Sequence, residues 1–223
     1  MAALKSISIT GAVADPDGIA LTQTPSSSIT INGVFASGGV ATLTPAGRVS
    51  VTSGGDISNR TITIVGTDRN GNAQTSTITG PNNTTVYTNQ DYKTITSATI
   101  SGLAAAAITV GTNGVASTPW YCGDYMTGKI PILMISLSAG AVLTYTVEST
   151  PTNLNGGCAD ITAQIQQAQN PIVFASTDTD VVGASASQQT NYINGMPGMR
   201  VTLNTYTSGT LTISFVTADN STA

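Results

Sequence analysis

The sequence predicts an all-β protein built from short antiparallel strands, and three observations predict it. Runs such as Arg60-Thr-Ile-Thr-Ile-Val65 alternate hydroxyl and apolar side chains, the period of a strand with one buried face. Turn formers separate these runs: Gly-Gly at 38–39 and 54–55, Pro-Asn-Asn at 81–83, and Asn-Gly at 32–33, 70–71, 113–114, 155–156 and 194–195. Only one segment, 158–168, has helical spacing, with Ile161, Ile165 and Ala168 at i, i+4 and i+7. It reads as one short helix or as an irregular loop, and Asn170-Pro171 ends it in both cases.

Taken in order, the strand signals in the first half lie at 6–10, 28–31, 48–52, 60–65, 75–79, 93–100 and 107–110. Each sets Ile or Val on one face and Ser or Thr on the other. In the second half they lie at 142–147, 200–203 and 210–216, and the more continuously apolar 130–137 reads as a central strand covered on both faces. Asp15-Pro-Asp-Gly18 reads as a turn between two strands, because proline presets φ and glycine supplies the left-handed position. The stretch 176–189, rich in Ser, Thr, Asp and Ala, reads as a long exposed loop.

Many short strands with regular turns predict sandwiches or barrels rather than alternating β/α units. A chain of 223 residues suits one large β domain or two small ones. Composition shifts near 111–114: upstream the strands are Thr-rich and nearly free of aromatics, while Trp120, most Tyr and most Met lie downstream. The expected organisation is therefore two β-sandwich or jelly-roll-like domains, 1–112 and 113–223. The five Asn-Gly pairs invite a five-bladed propeller, but the sequences around them do not recur as blades must.

Charge is scarce: seven basic and eleven acidic residues, no histidine, and a formal net charge of −4. The arginines and lysines are scattered, so no basic face is available to neutralise phosphates, and a nucleic-acid partner is not expected. Without histidine, His-dependent triads are excluded, and without histidine or a CxxC pair a zinc site is not expected. No Gly-rich phosphate loop with its lysine occurs. The single glutamate, Glu148, lies in a strand-like run, where it reads as facing solvent or pairing with an arginine. The expectation is no enzyme, no cofactor and no metal.

Two motifs resemble cation ligands. Asp15 and Asp17 stand two apart, but calcium needs more converging oxygens than a Pro-Asp-Gly turn provides. Asp68-Arg-Asn-Gly-Asn72 imitates the start of a calcium loop, yet Ala73 and Thr79 stand where glycine and glutamate are required. A hairpin between the flanking strands accounts for it instead.

The N-terminus has no basic region followed by a long apolar stretch, so synthesis and folding in a cytoplasm are expected, with Cys122 and Cys158 as free thiols rather than joined in the disulfide that is the alternative. The longest strongly apolar run is far short of the roughly 20 residues of a membrane-spanning helix, and no membrane association is expected. One aromatic cluster, Trp120, Tyr121, Tyr125 and Met126, is a candidate interface or, equally, a plug in a domain core.

Several stretches together resemble small β-rich structural proteins of tailed-bacteriophage virions, of the head decoration and neck type. They are Ile7-Ser-Ile-Thr-Gly-Ala-Val-Ala-Asp-Pro-Asp-Gly-Ile-Ala20, Gln23-Thr-Pro25, Ser37-Gly-Gly-Val-Ala-Thr-Leu43 and Val49-Ser-Val-Thr-Ser-Gly-Gly55. The likeness continues through Thr61-Ile-Thr-Ile-Val-Gly-Thr-Asp-Arg-Asn-Gly71, Thr77-Ile-Thr-Gly80 and Ile108-Thr-Val-Gly-Thr-Asn-Gly-Val-Ala-Ser-Thr-Pro-Trp120. It covers about the first 120 residues well and the remainder loosely. These are strand and turn patterns, and they carry over no catalytic or metal-binding residue. The resemblance implies a virion component made in the host cytoplasm: a capsid decoration (cement) protein, trimeric, bridging subunits of the major capsid protein. A neck, tail or fibre component with receptor or glycan binding, through 176–189, is the alternative it leaves open.

Overall fold

The computed structural model describes residues 3–11, 14–69, 71–118, 131–150, 174–175, 182–191 and 198–217. Every regular element among them is a β-strand, and every strand pairing with a recorded register is antiparallel. The segment 158–168 lies outside the described residues. The chain divides into two compact units, Gly11–Ala116 and Met1–Thr10 with Ser117–Ala223.

The first unit carries a seven-stranded sheet. Its strands are β2 (Asp15–Gln23), β3 (Ala36–Ser37), β4 (Val40–Ser53), β5 (Thr61–Thr67), β6 (Ala73–Thr79), β7 (Thr85–Ile100) and β8 (Ile108–Thr112). The order is β2-β8-β4-β7-β5-β6, with β3 beside β4. The long strands β4 and β7 pair along three stretches separated by two register shifts. One shift spans Thr42 to Gly47, where Pro45 has no N–H to give to a ladder. Ile19, Leu43, Val51, Ile62, Ile64, Ile95 and Val110 from the strands are buried in one cluster with Ile29, Ile31 and Ile57 from the connecting segments.

Two expectations fail here. Asp15-Pro-Asp-Gly18 is not a turn between strands but the irregular start of β2, where Asp15 opposes Thr112 and Ala20 opposes Val110, so β2 carries extra residues as a bulge. The segment 31–36 runs along this bulge: Ile19 O accepts from Asn32 N and Gly33 N, and Gly18 O accepts from Phe35 N at 2.7 Å. Residues 28–31 make one isolated bridge, Ser28 to Thr99, instead of a strand. Their Ile-x-Ile alternation is real, since Ile29 and Ile31 are both buried, but the core supplies that burial without a ladder.

The second unit contains two sheets. One has the order β1-β16-β10-β14, from β1 (Ala3–Ile9), β16 (Leu211–Thr217), β10 (Pro131–Leu137) and β14 (Gln188–Asn191). The other has the order β12-β11-β15-β9, with β13 also on β11. Its strands are β9 (Ala116–Ser117), whose first residue is the last of the first unit, β11 (Val142–Thr150), β12 (Phe174–Ala175), β13 (Val182–Ala184) and β15 (Gly198–Ser208). Leu133, Ile135, Leu211 and Ile213 are buried in the first sheet, and Leu143, Tyr145, Val147, Val201 and Leu203 in the second.

Three sequence expectations change in this unit. The first ten residues, expected with the N-terminal domain, belong to the second unit because β1 pairs along its whole length with β16 near the other end of the chain. The strand at 131–137 lies inside its sheet, between β16 and β14, but is not covered on both faces: Met134 is 41% exposed. The stretch 176–189 is not one loop, since β13 lies within it and β14 begins in it.

Candidate functional site

Alternation in β5, β6 and β7 sends isoleucines to the core and hydroxyls to the opposite face. The register aligns them in rows across the sheet: Thr61 with Thr79, Thr63 with Thr77 and Thr99, Val65 with Thr75 and Ser97, and Thr67 with Ala73 and Thr94. Thr63 and Thr77 share a hydrogen bond at 3.3 Å, and Thr67 and Thr94 at 2.6 Å. Thr52 and Thr85 do the same between β4 and β7 at 2.8 Å.

The second unit repeats the device. Ser6 pairs with Ser214 at 2.7 Å and Ser8 with Thr212 at 2.8 Å across β1 and β16, and Thr144 pairs with Thr205 at 2.8 Å across β11 and β15. Each of these is a directly opposed cross-strand pair. A hydroxyl both donates and accepts, so such a face can meet many polar partners without desolvating a fixed charge.

Beneath the hydroxyl faces lie buried polar contacts that strand alternation does not reveal. In the first unit Asp91, 2% exposed, takes Arg69 Nη2 on its carboxylate at 2.6 Å, and its carbonyl accepts from Gln74 Nε2. Ser76 Oγ donates to Gln90 Oε1 at 3.3 Å, and Tyr92 OH donates to Ile64 O at 3.1 Å. Burial holds the Tyr92 phenol neutral, pushed up to about 12, and does the same to Tyr145. The signal for this cluster was present in Gln90-Asp91-Tyr92, where three consecutive large polar residues interrupt the alternation of β7 and all three are buried.

In the second unit Glu148 meets Arg200 directly across β11 and β15. Arg200 Nε donates to Glu148 Oε2 at 2.7 Å, and Thr202 Oγ1 donates to the same oxygen at 2.8 Å. Of the two sequence alternatives for Glu148, the pairing with an arginine is the one adopted.

The cation-like motifs resolve differently. Asp68 accepts from Asn72 N at 2.9 Å and Asn72 Nδ2 at 3.0 Å, closing the hairpin between β5 and β6, and Gly71 takes φ +89° in that turn. Asp56 accepts from both Ser58 Oγ at 2.7 Å and Ser58 N at 2.9 Å, bonds that hold its carboxyl below the usual range. Among the described residues no group of three or more Cys, Asp or Glu could hold a metal ion. Among them also, no helix is long and apolar enough to cross a membrane.

Trp120, Tyr121, Tyr125 and Met126, the candidate interface, lie outside the described residues, as do Cys122 and Cys158. In the 176–189 region Val182 is exposed, and Gly183 N donates to Thr146 Oγ1 at 3.1 Å, so this part of the candidate contact segment is anchored to β11. No family model, no curated protein and no solved structure matches the chain.

Proposed function

We propose that the protein is a structural component of a tailed-bacteriophage virion, a head decoration protein that stabilises the capsid by bridging neighbouring capsid subunits. In this proposal each unit is a β-sandwich or jelly-roll-like body, the chain assembles as a homotrimer in many copies per particle, and it carries no catalytic activity. One observation supports the reading above others: the rows of Thr and Ser on β5, β6 and β7 form a broad uncharged surface over a well-packed core. Such a surface can cover a neighbour's sheet with little cost for stripping water from charges. The sequence resemblance to virion proteins supplies the context.

The test is capsid binding. Purified chain is mixed with capsids lacking decoration, and bound copies and the temperature of capsid disruption are measured. Saturable binding at hundreds of copies with a raised disruption temperature is expected. Failure to bind capsids, or about a dozen copies or fewer on the intact particle, would favour the neck, tail or fibre alternative. Binding of the isolated protein to cells or to glycans would identify that alternative's receptor role.

A further inference from the structure

The first unit's sheet ends on two edges of opposite character. The β2 edge is protected by the devices that natural sheets use against strand addition: Pro16, the charges of Asp15 and Asp17, two register shifts, and the 31–36 segment hydrogen-bonded along it. The β6 edge has none of them. Its sequence, Ala-Gln-Thr-Ser-Thr-Ile-Thr, contains no proline and no charge, and its register on β5 runs from Ala73 to Thr79 without a shift. Among the described residues β6 pairs with β5 alone.

The hydrogen-bond phase shows which backbone groups face outward. At one end of the hairpin Gly80 N donates to Arg60 O, and at the other Asp68 N donates to Asn72 O. Both bonds place the even residues of β6 in the bonded pairs, so Gln74, Ser76 and Ile78 bond to β5. The N–H and C=O of Ala73, Thr75, Thr77 and Thr79 therefore point away from the sheet. Ala73, Thr77 and Thr79 are exposed and Thr75 is half-buried, so among the described residues none closes over this edge.

We infer that β6 is a strand-addition edge whose occupant is the β6 of a second copy, paired antiparallel about a two-fold axis at Ser76. The edge is self-complementary. With Ser76 on the axis, the outward-facing Thr75 of one copy opposes Thr77 of the other, and Ala73 opposes Thr79, so all outward residues fall in hydrogen-bonded pairs. The hydroxyl rows of β5 and β6 continue across the axis as Thr–Thr pairs, which favour cross-strand association. No like charges meet along the strand. The turn bearing Asp68 and Arg69 approaches the other copy's end bearing Asp56 and Arg60, an acid and a base on each side. A single edge pairing is small beside a standard interface, so the association is concentration-dependent. It is independent of the virion reading and separate from any trimer contact.

The test uses the full chain. Sedimentation velocity across a concentration series, with amide hydrogen exchange at low and high concentration, is measured for the protein and for T75K/T77K, which sets lysines opposite lysines. The expected result is association that the double substitution abolishes, with thermal midpoints that differ by only about a few degrees when both proteins are compared at concentrations where they are monomeric. In the associated protein the amides of Ala73, Thr75, Thr77 and Thr79 exchange as slowly as those of Gln74, Ser76 and Ile78. Outward amides that exchange freely in the associated protein, or a monomer at every concentration, overturn the inference. A trimer whose β6 amides exchange freely overturns it while leaving the capsid proposal intact. The exchange measurement on the unaltered chain decides the matter even if T75K/T77K does not fold.

Discussion

Breaking the Glu148–Arg200 pair one partner at a time should cost unequal amounts, and the asymmetry follows from burial. Arg200 is 2% exposed and Glu148 is 17% exposed. At an effective dielectric near 20, opposite charges about 4 Å apart attract by roughly 4 kcal/mol before desolvation is subtracted. Glu148→Leu leaves a guanidinium buried without its carboxylate, and the expected loss is about 3–5 kcal/mol. Arg200→Met leaves a carboxylate that water can still reach and that keeps the Thr202 hydroxyl, so about 2–3 kcal/mol is expected. The double variant E148L/R200M replaces both charges with apolar side chains and should lose less than the sum of the singles by at least about 1 kcal/mol. Native-state hydrogen exchange at Val147 and Val201, neighbours of the pair on β11 and β15, measures the loss in this unit without assuming that the chain unfolds in one step. Single losses that add within about 0.5 kcal/mol, or a larger loss for R200M than for E148L, would refute the reasoning.

Alkaline pH should destabilise the first unit through Tyr92. Its folded value of about 12 lies above the ordinary 10, so the stability this confers is complete below pH 10 and disappears as pH rises through 12. The amount is roughly 2–3 kcal/mol, and Tyr92→Phe should flatten urea-melt stability against pH over that window. Gly66→Ala should destabilise by roughly 1–3 kcal/mol or more in thermal melts, because the new methyl meets the Thr94 carbonyl, a backbone group in the paired strand. T63V/T77V removes one exposed cross-strand hydroxyl pair and should shift stability by less than about 1 kcal/mol. If the hydroxyl face is a docking surface, the same double variant reduces capsid binding much more than it changes stability.

The Thr-Ile-Thr-Ile pattern of β5 and the Thr-Ser-Thr-Ile-Thr pattern of β6 were sufficient to place strands, because side-chain direction alternates with every residue whatever the rest of the chain does. The hydroxyl composition of the exposed face was legible for the same reason. The hairpin that Gly71 and the Asp68–Asn72 contact close was also legible, since closing a two-strand hairpin is a local problem of φ and hydrogen bonding. Local pattern misled at 28–31, where Ile29 and Ile31 alternate for burial without forming a ladder, and at Asp15-Pro-Asp-Gly18, whose turn chemistry serves a bulge. The polar run Gln90-Asp91-Tyr92 was visible as a break in alternation, but its partners stayed hidden, because Ile64, Gln74 and Ser76 come from β5 and β6 and Arg69 from the turn between them, which only strand pairing brings alongside.

By itself, then, the sequence determined an all-β chain of short antiparallel strands, low in charge and lined with hydroxyls, because those properties are written in alternation, turn residues and composition. Tertiary structure alone decided that β1 joins β16 across the length of the chain, that Glu148 meets Arg200, and that among the described residues β6 ends its sheet with β5 as its sole strand partner while the 31–36 segment lies along β2. Strand partners are chosen by the burial of whole faces and the closing of backbone hydrogen bonds over long separations, and no short window of residues contains that choice.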